Sequence, residues 1–313
     1  MTVDVVSVSD GPRITVAELV ANPLFIPTKL MELMRNQFIS EALLRDAGPN
    51  PSGVVAYREG DPMFLEDDVA DVAEFGEIPV SHGKLGLPRT AFAVKRALGV
   101  RVSKEMIDEN RIDAVNKQLT GLRNTFIRAN DRSAKALLQS PVVPTMPVST
   151  PWDDPTSKPR TDLAKAIEEI TSAAPTEAQG GTGDEYFGFE PDTIVLHPGL
   201  LATLLDNDNV LKVYQGNLAE QNIAYTGALP ATIFGLNVIQ SRTFPRDRAL
   251  VLQRGVVGFY SDTRPLQFTG LYPEGNGPNG GPTETWRSDA SHKRAMGIDQ
   301  PKAALWLTGL ETP

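Results

Sequence analysis

Residues 57–104 read YREGDPMFLEDDVADVAEFGEIPVSHGKLGLPRTAFAVKRALGVRVSK. The first limb, Tyr57 to Glu77, holds Glu59, Asp61, Glu66, Asp67, Asp68, Asp71, Glu74 and Glu77 against a lone base, Arg58. The return, Ile78 to Lys104, carries Lys84, Arg89, Lys95, Arg96, Arg101 and Lys104 and no acid. Strand-type residues recur at Gly53 to Tyr57, Val72 to His82 and Ala91 to Val102, where Leu98, Val100 and Val102 alternate strictly. Gly60-Asp61-Pro62 and the run Gly83 to Pro88 supply turn chemistry. The pattern predicts a long hairpin with little core of its own, marginal in water unless it lies on something else. Segregated charge on the two limbs points to a neighbouring copy of the chain, with Arg58, Glu66, Asp67, Asp68, Asp71, Lys84, Arg89, Lys95 and Arg96 as candidate intersubunit contacts. A solvated surface whose charges are segregated by accident is the alternative.

Directly after the hairpin, Ser103 is placed to cap a helix running to about Gln139, with Glu105 and Asp108 in its first turns and Pro141 beyond its end. Ile112, Val115, Leu119, Leu122, Phe126, Ala129, Ser133 and Ala136 recur in steps of three and four, which predicts one narrow buried stripe. At 1.5 Å per residue such a helix is about 55 Å long. Small residues in the stripe and Gly121 favour packing across a β-sheet over a coiled coil. Before the hairpin, Met1 to Asn22 reads as an extended arm. Thr28 then caps a helix to about Ala47, with Leu30, Met34, Phe38 and Ile39 on one face and Gly48-Pro49 as its stop. Acids and bases mix on its polar face, which makes it a core helix in preference to a membrane-surface one.

Ser140 to Arg160 reads as a linker rich in Pro, Ser and Thr, leading to a second module. There Thr161 to Ala173 predicts a short helix with Leu163, Ile167 and Ile170 inward, and Ala174 to Gly188 a loop. Thr193 to Leu196 follows as a buried strand, and His197-Pro198-Gly199 opens a helix through Leu205. Asn209 to Tyr214 and the loop from Gly216 to Gly227 precede strands at Leu236 to Gln240, Arg248 to Gln253 and Val256 to Tyr260. Closing strands are expected at Leu266 to Leu271, Thr283 to Ser288, His292 to Met296 and Ala303 to Leu307, laid on the long helix. Strands and helices do not alternate regularly enough for a doubly wound nucleotide fold.

Composition narrows the function. At 313 residues, with 41% hydrophobic and 22% charged residues, the chain is long enough to bury one large or two modest cores. A net charge of −9 argues against a protein whose main work is gripping nucleic acid by its phosphates. Cysteine is absent, which removes disulfides, thiol nucleophiles and thiolate metal sites. No apolar run approaches a bilayer span and no signal-peptide pattern opens the chain, so it reads as cytosolic when made. Gly275-Asn276-Gly277-Pro278-Asn279-Gly280 matches a dinucleotide fingerprint by letter, but Gly281-Pro282 follows where a helix should start. His82, His197 and His292 lack ligand spacing, and the carboxylates at Glu66, Asp67 and Asp68 lack the glycine and spacing of a calcium loop. No catalytic, cofactor or metal residue is expected.

The order of parts is itself informative: N-terminal arm, long hairpin, spine helix opening with Val102-Ser103-Lys104-Glu105, α/β module, closing strands. This layout resembles tailed-phage major capsid proteins with the Hong Kong 97-type fold. Leu229-Pro230-Ala231-Thr232-Ile233-Phe234-Gly235-Leu236-Asn237-Val238-Ile239-Gln240-Ser241 is similar to that family's strand-forming segment, and Arg287 to Gly309 to its closing strands. The resemblance implies an α+β capsid fold divided into an N-terminal arm and helix at 1–50, an extension loop at 51–97, a peripheral domain with the spine helix at 98–145, an axial domain at 146–263 and peripheral return strands at 264–313. It further implies self-assembly of pentamers and hexamers into an icosahedral virion shell, built in the host cytoplasm, that encloses double-stranded DNA without reading its sequence. Expected partners are a separate scaffolding protein, since only about fifty residues precede the loop, a portal and a decoration protein. No cofactor, membrane or enzymatic activity is implied. A family crosslink between a loop lysine and an asparagine would fall to Lys84 with Asn276 or Asn279. Two alternatives stay open: an encapsulin-type compartment enclosing an enzyme cargo, and a soluble enzyme dependent on Asp, Glu and His.

Overall fold

The computed structural model describes residues 34, 37–61, 64–83, 85–176, 185–207, 232–275 and 283–312. Helix α1 (Ile39–Leu43) leads into β1 (Arg45–Asp46), and β2 (Val54–Glu59) pairs with β3 (Leu87–Phe92) as a separate two-stranded ribbon. Then come β4 (Val94–Ser103), α2 (Lys104–Asp108), α3 (Ile112–Leu138), β5 (Thr145–Pro147), α4 (Pro159–Thr171), β6 (Thr193–Leu196) and α5 (Pro198–Asp206). Strands β7 (Thr232–Ile233), β8 (Leu236–Gln240), β9 (Arg248–Leu252), β10 (Gly258–Phe268), β11 (Tyr272–Glu274), β12 (Thr285–Ile298) and β13 (Ala304–Thr308) complete the chain. Two larger sheets form. One is five-stranded, with the fourteen-residue β12 at its centre, β10 and β11 along one edge and β4 along the other. The other is six-stranded in the order β5-β13-β9-β6-β8-β7.

The helix expected at 103–139 is present in two pieces. Ser103 caps it as expected, its hydroxyl accepting from the Met106 N–H at 3.3 Å. The chain then breaks at Asn110, whose φ of 52° lies in the left-handed region. The Arg111 N–H donates to the Met106 carbonyl at 2.9 Å and the Asn110 N–H to Ile107 at 3.2 Å, the paired bonds that close a helix when the residue after the cap turns left-handed. Asn tolerates that turn because its short polar side chain carries less steric cost there than a branched one. The remaining helix has 27 residues and is about 40 Å long, shorter than the sequence reading gave.

Its buried stripe also differs. Val115, Leu119, Leu122 and Phe126 are buried as expected, but burial continues through Asn130, Ala134 and Leu138, while Ala136 is exposed. Steps of four advance the contact face around a straight helix. The reason is that α3 serves two cores: its first half packs with Met34, Phe38, Val102, Leu271 and Ala290 on the five-stranded sheet, and its last turns join the core of the six-stranded sheet. The sheet partner expected for α3 is therefore present, and it is β4 and β12.

Other expectations shift for equally local reasons. The helix expected over 28–47 is helical at Met34 and at Ile39–Leu43 but extended at Phe38, and residues 28–33 lie outside the described set. Ser140 to Arg160 is no linker: it contains β5, parallel to β13, and the buried Trp152, whose indole donates to Asp162 at 3.1 Å. The strand expected at Val72 to His82 is absent, and only an isolated bridge joins Leu65 to Gly83. The expected strand ending at Tyr260 runs on to Phe268, so a boundary at 263/264 falls within β10. Expected strands at 283–288 and 292–296 are one strand, β12. The last strand, β13, lies between β5 and β9 in the six-stranded sheet and meets α3 only at the helix's last turns, through Trp306. Strands β6, β8 and β9 and helices α4 and α5 stand where the sequence reading put them, within a residue or two.

Candidate intersubunit surface

Strands β2 and β3 pair from Val54↔Phe92 to Glu59↔Leu87. Alternation turns Val55 and Tyr57 onto the five-stranded sheet and sends Val54, Ala56 and Arg58 to solvent. Val55, Tyr57, Ala91 and Ala93 pack with Phe259 and Ala295, and the Tyr57 and Phe259 rings meet edge to face with centroids 5.1 Å apart. Gly297 makes this approach possible, since a Cβ there would sit 2.8 Å from the Phe259 ring and 3.1 Å from Tyr57. The ribbon is thus rooted on β10 and β12 of its own subunit, where the sequence pointed to support from a neighbouring copy.

Past the root the arm keeps few contacts with its own subunit, among them Phe64, whose ring meets Tyr186 edge to face with centroids 5.5 Å apart. Arg89 donates to Glu59 at 2.8 Å, Arg58 to the Gly86 carbonyl at 3.3 Å, and the Gly86 N–H to Asp61 at 2.7 Å. Arg58 and Arg89 flank an open cleft of ≈570 Å³. Beyond these contacts, the Glu66 N–H reaches His82 and the Asp67 N–H reaches Ser81, both at 2.9 Å. Residues 68–80 are exposed throughout. Glu66, Asp67, Asp68 and Asp71 have no cationic partner among the described residues. The charge-centred sequence reading missed the apolar side of the same segment: Phe75 is 98% exposed, Val69 96% and Val80 83%. An exposed apolar run on a segment with no core of its own marks a contact surface. The alternating valines and Phe75 were a readable signal for it.

Lys95 and Arg96, expected on the arm, belong to β4 in the five-stranded sheet, and the two diverge. Lys95 is exposed. Arg96 turns inward and donates to the Ser133 hydroxyl on α3 at 2.6 Å, so it is a packing residue of the subunit. Burial and the nearby positive charge of Arg294 push its pKa down. Lys84, Asn276 and Asn279, and with them the crosslink expectation, lie outside the described residues, as do Asn209 to Tyr214 and the loop at 216–227.

A second cluster, not anticipated from sequence, fastens the segment before the arm. The Arg294 guanidinium, 3% exposed, forks onto Asp262 at 2.6 and 2.8 Å and reaches Glu41 at 2.8 Å and the Ser40 hydroxyl at 3.0 Å. Tyr260 lies under it with its ring centroid 4.3 Å away. His292 sits 3.0 Å from Asp262 and stacks on Phe38. Burial raises the Asp262 pKa, but hydrogen bonds from Arg294 and His292 and the charge of Arg294 more than offset it and leave the value at about 2. Asp131 on α3 shows the opposite balance, since burial outweighs its hydrogen bond from the Ile39 N–H and lifts its pKa. Among the described residues no group of His, Asp and Glu could hold a metal ion, and no helix is long and apolar enough to cross a membrane.

An arm whose acids at 66–71 have no cationic partner among the described residues, rooted on a sheet braced by one long helix, is an arrangement suited to contact with another copy. Comparisons agree. Residues 87–306 match the family model described as phage capsid protein. Among solved structures, the capsid of a native GTA particle shares 10% identity at a TM-score of 0.58, covering 88% of this chain and 91% of that one. A chain from Microbacterium phage Oxtober96 shares 16% identity at a TM-score of 0.57, covering 87% and 90%. The virus-like particle from Pyrococcus furiosus shares 12% identity at a TM-score of 0.55, covering 90% and 97%. A sequence comparison with curated proteins finds no match. The chain belongs to the phage capsid protein family, a structural and non-enzymatic family of the virion, and carries a mixed α+β fold of the Hong Kong 97 type.

Proposed function

We propose that identical copies of this chain close into an icosahedral shell around a double-stranded DNA genome, with the 51–97 arm laid over an adjacent subunit as the principal tether. The observation that carries the reading is the arm itself: exposed Val69, Phe75 and Val80 beside acids that find no cation among the described residues. Leaving that much apolar surface in water costs roughly 25 cal/mol per Å² relative to burying it, so the tip gains by docking on another copy.

In this reading the five-stranded sheet with the first half of α3 forms the peripheral part of the subunit. The six-stranded sheet with α4 and α5 forms the axial part that clusters around fivefold and sixfold axes. The N-terminal arm, Met1 to Asn22, reaches a further subunit, while the segment that Arg294 fastens stays on its own. The shell takes a separate scaffolding protein during assembly, a portal at one vertex and a decoration protein outside, and contacts DNA without reading sequence.

Negative-stain electron microscopy of the purified protein, with and without the phage genes expressed beside it, tests this. Closed shells or capsomer rings are expected. Small featureless particles under every condition would overturn it, and shells that enclose a cargo enzyme in place of DNA would convert the reading to a protein compartment.

A further inference from the structure

Lys293 of β12 stands opposite Lys95 of β4 in unbroken register and, on its other side, opposite Arg264 of β10 between two register shifts of that strand. Its neighbours His292 and Arg294 are buried on the face that receives α1 and α3, so strand alternation sends Lys293 to the opposite face. Lys95 is exposed there, Lys293 is half-buried, and Arg264, at the bulge beside Lys293, is exposed. Like charges directly opposite each other destabilise a sheet unless something balances them. Farther along the same face the balance is present: Arg101 is 2.7 Å from Glu274, and Arg287 is 2.6 Å from Asp289. At Lys95, Lys293 and Arg264 no acid of the described residues pairs with them, so only this end of the sheet is left cationic. Lys293 reaches the arm's root, its Nζ lying 3.0 Å from where a side chain on Gly53 would begin.

Among the described residues two surfaces of opposite sign are therefore left unbalanced, this cationic cluster and the acidic limb of the arm. We propose that Lys95, Lys293 and Arg264 are the receptor for the limb from Glu66 to Asp71 of a second copy. The inference rests on the shell reading and adds to it where the limb lands: at the root of the receiving subunit's own arm. Different patches on the two copies then meet head to tail, a contact that closes into a ring when the rotation between copies divides a full turn. A second copy is favoured over nucleic acid because every subunit brings one such limb for each row, and because a chain with a net charge of −9 is a poor polyanion binder overall.

Lys95→Glu tests it by giving Lys293 an opposite charge within its own sheet while removing the receptor's outer cation. The subunit melting temperature is expected to hold or rise, while the fraction assembled into capsomers or shells falls about tenfold, since like charges meeting across an interface are strongly unfavourable. Lys95→Gln should do the same at smaller amplitude, and Asp67→Lys with Asp68→Lys should match the loss from the other side. The decisive chain combines Lys95→Glu, Lys293→Glu and Arg264→Glu with Glu66→Lys, Asp67→Lys and Asp68→Lys, and is expected to regain assembly. Wild-type assembly by Lys95→Glu, or no recovery in the combined chain, overturns the receptor. So does a row-reversed chain that assembles normally but retains less DNA, which would give the cations to nucleic acid. If the wild-type chain itself forms no capsomers, it is the shell reading that falls.

Discussion

Arg294 and Asp131 show how burial and pairing set opposite signs on neighbouring charges. Arg294 sits between Asp262 and Glu41 with its guanidinium almost wholly buried. Replacing it by Met strands two carboxylates, and the unfolding free energy of the dissociated subunit, measured by urea titration, is expected to fall by about 3–5 kcal/mol. Asp262 follows the rule for a depressed carboxyl: its contribution is complete above the unfolded value of about 3.9 and disappears as pH falls through about 2. Asp262→Asn should therefore lower stability at pH 7 and flatten the acid limb of a stability-against-pH curve. Asp131→Asn should be neutral or stabilising at pH 7, because the amide oxygen keeps the acceptor for Ile39 without the buried charge. Equal losses from both variants would contradict this account. None of these partners was legible in the sequence, where Glu41, Asp262 and Arg294 lie in separate segments. Arg96 shows the limit from the other side: its place in a basic run suggested an exposed contact, and strand alternation turned it onto Ser133.

At the scale of elements, the sequence disclosed α4, α5, β6, β8, β9 and the sheet-facing half of α3, because apolar period and caps act locally. It misplaced what tertiary packing decides. The break at Asn110 looked like helix because its neighbours all tolerate helix, and only the left-handed turn interrupts it. Asn110→Val should cost about 1–2 kcal/mol by forcing a β-branched residue into that turn, and Asn110→Gly should be tolerated; thermal melts of both variants decide the point. The second half of α3 changes its buried face because a second core begins there, where Ala134, Leu138 and the Trp306 indole, 2.7 Å from the Leu138 carbonyl, close the packing. The arm's root is equally tertiary. Gly297→Ala places a methyl against the Phe259 and Tyr57 rings, and faster hydrogen exchange over residues 54–59 is expected. Unchanged exchange would remove Gly297 from the account of how the ribbon is seated.

Across the whole molecule, the hairpin's charge segregation is legible in the sequence, and its meaning lies between subunits. Exposed pairs are screened over a Debye length of about 8 Å at physiological salt. Raising ionic strength should therefore slow or weaken assembly while the subunit's own melting temperature changes little. The candidate contacts Glu66, Asp67, Asp68 and Asp71 were read from charge alone, whereas Phe75, Val69 and Val80 became visible as contact residues only once the fold left them without a core. Limited proteolysis addresses the central claim most directly, that residues 68–80 are covered by a neighbouring copy. Cleavage within 68–80 should be rapid in dissociated subunits and suppressed at least tenfold in purified shells, since opening must then precede cutting. Equal cleavage in shells and free subunits would contradict the account.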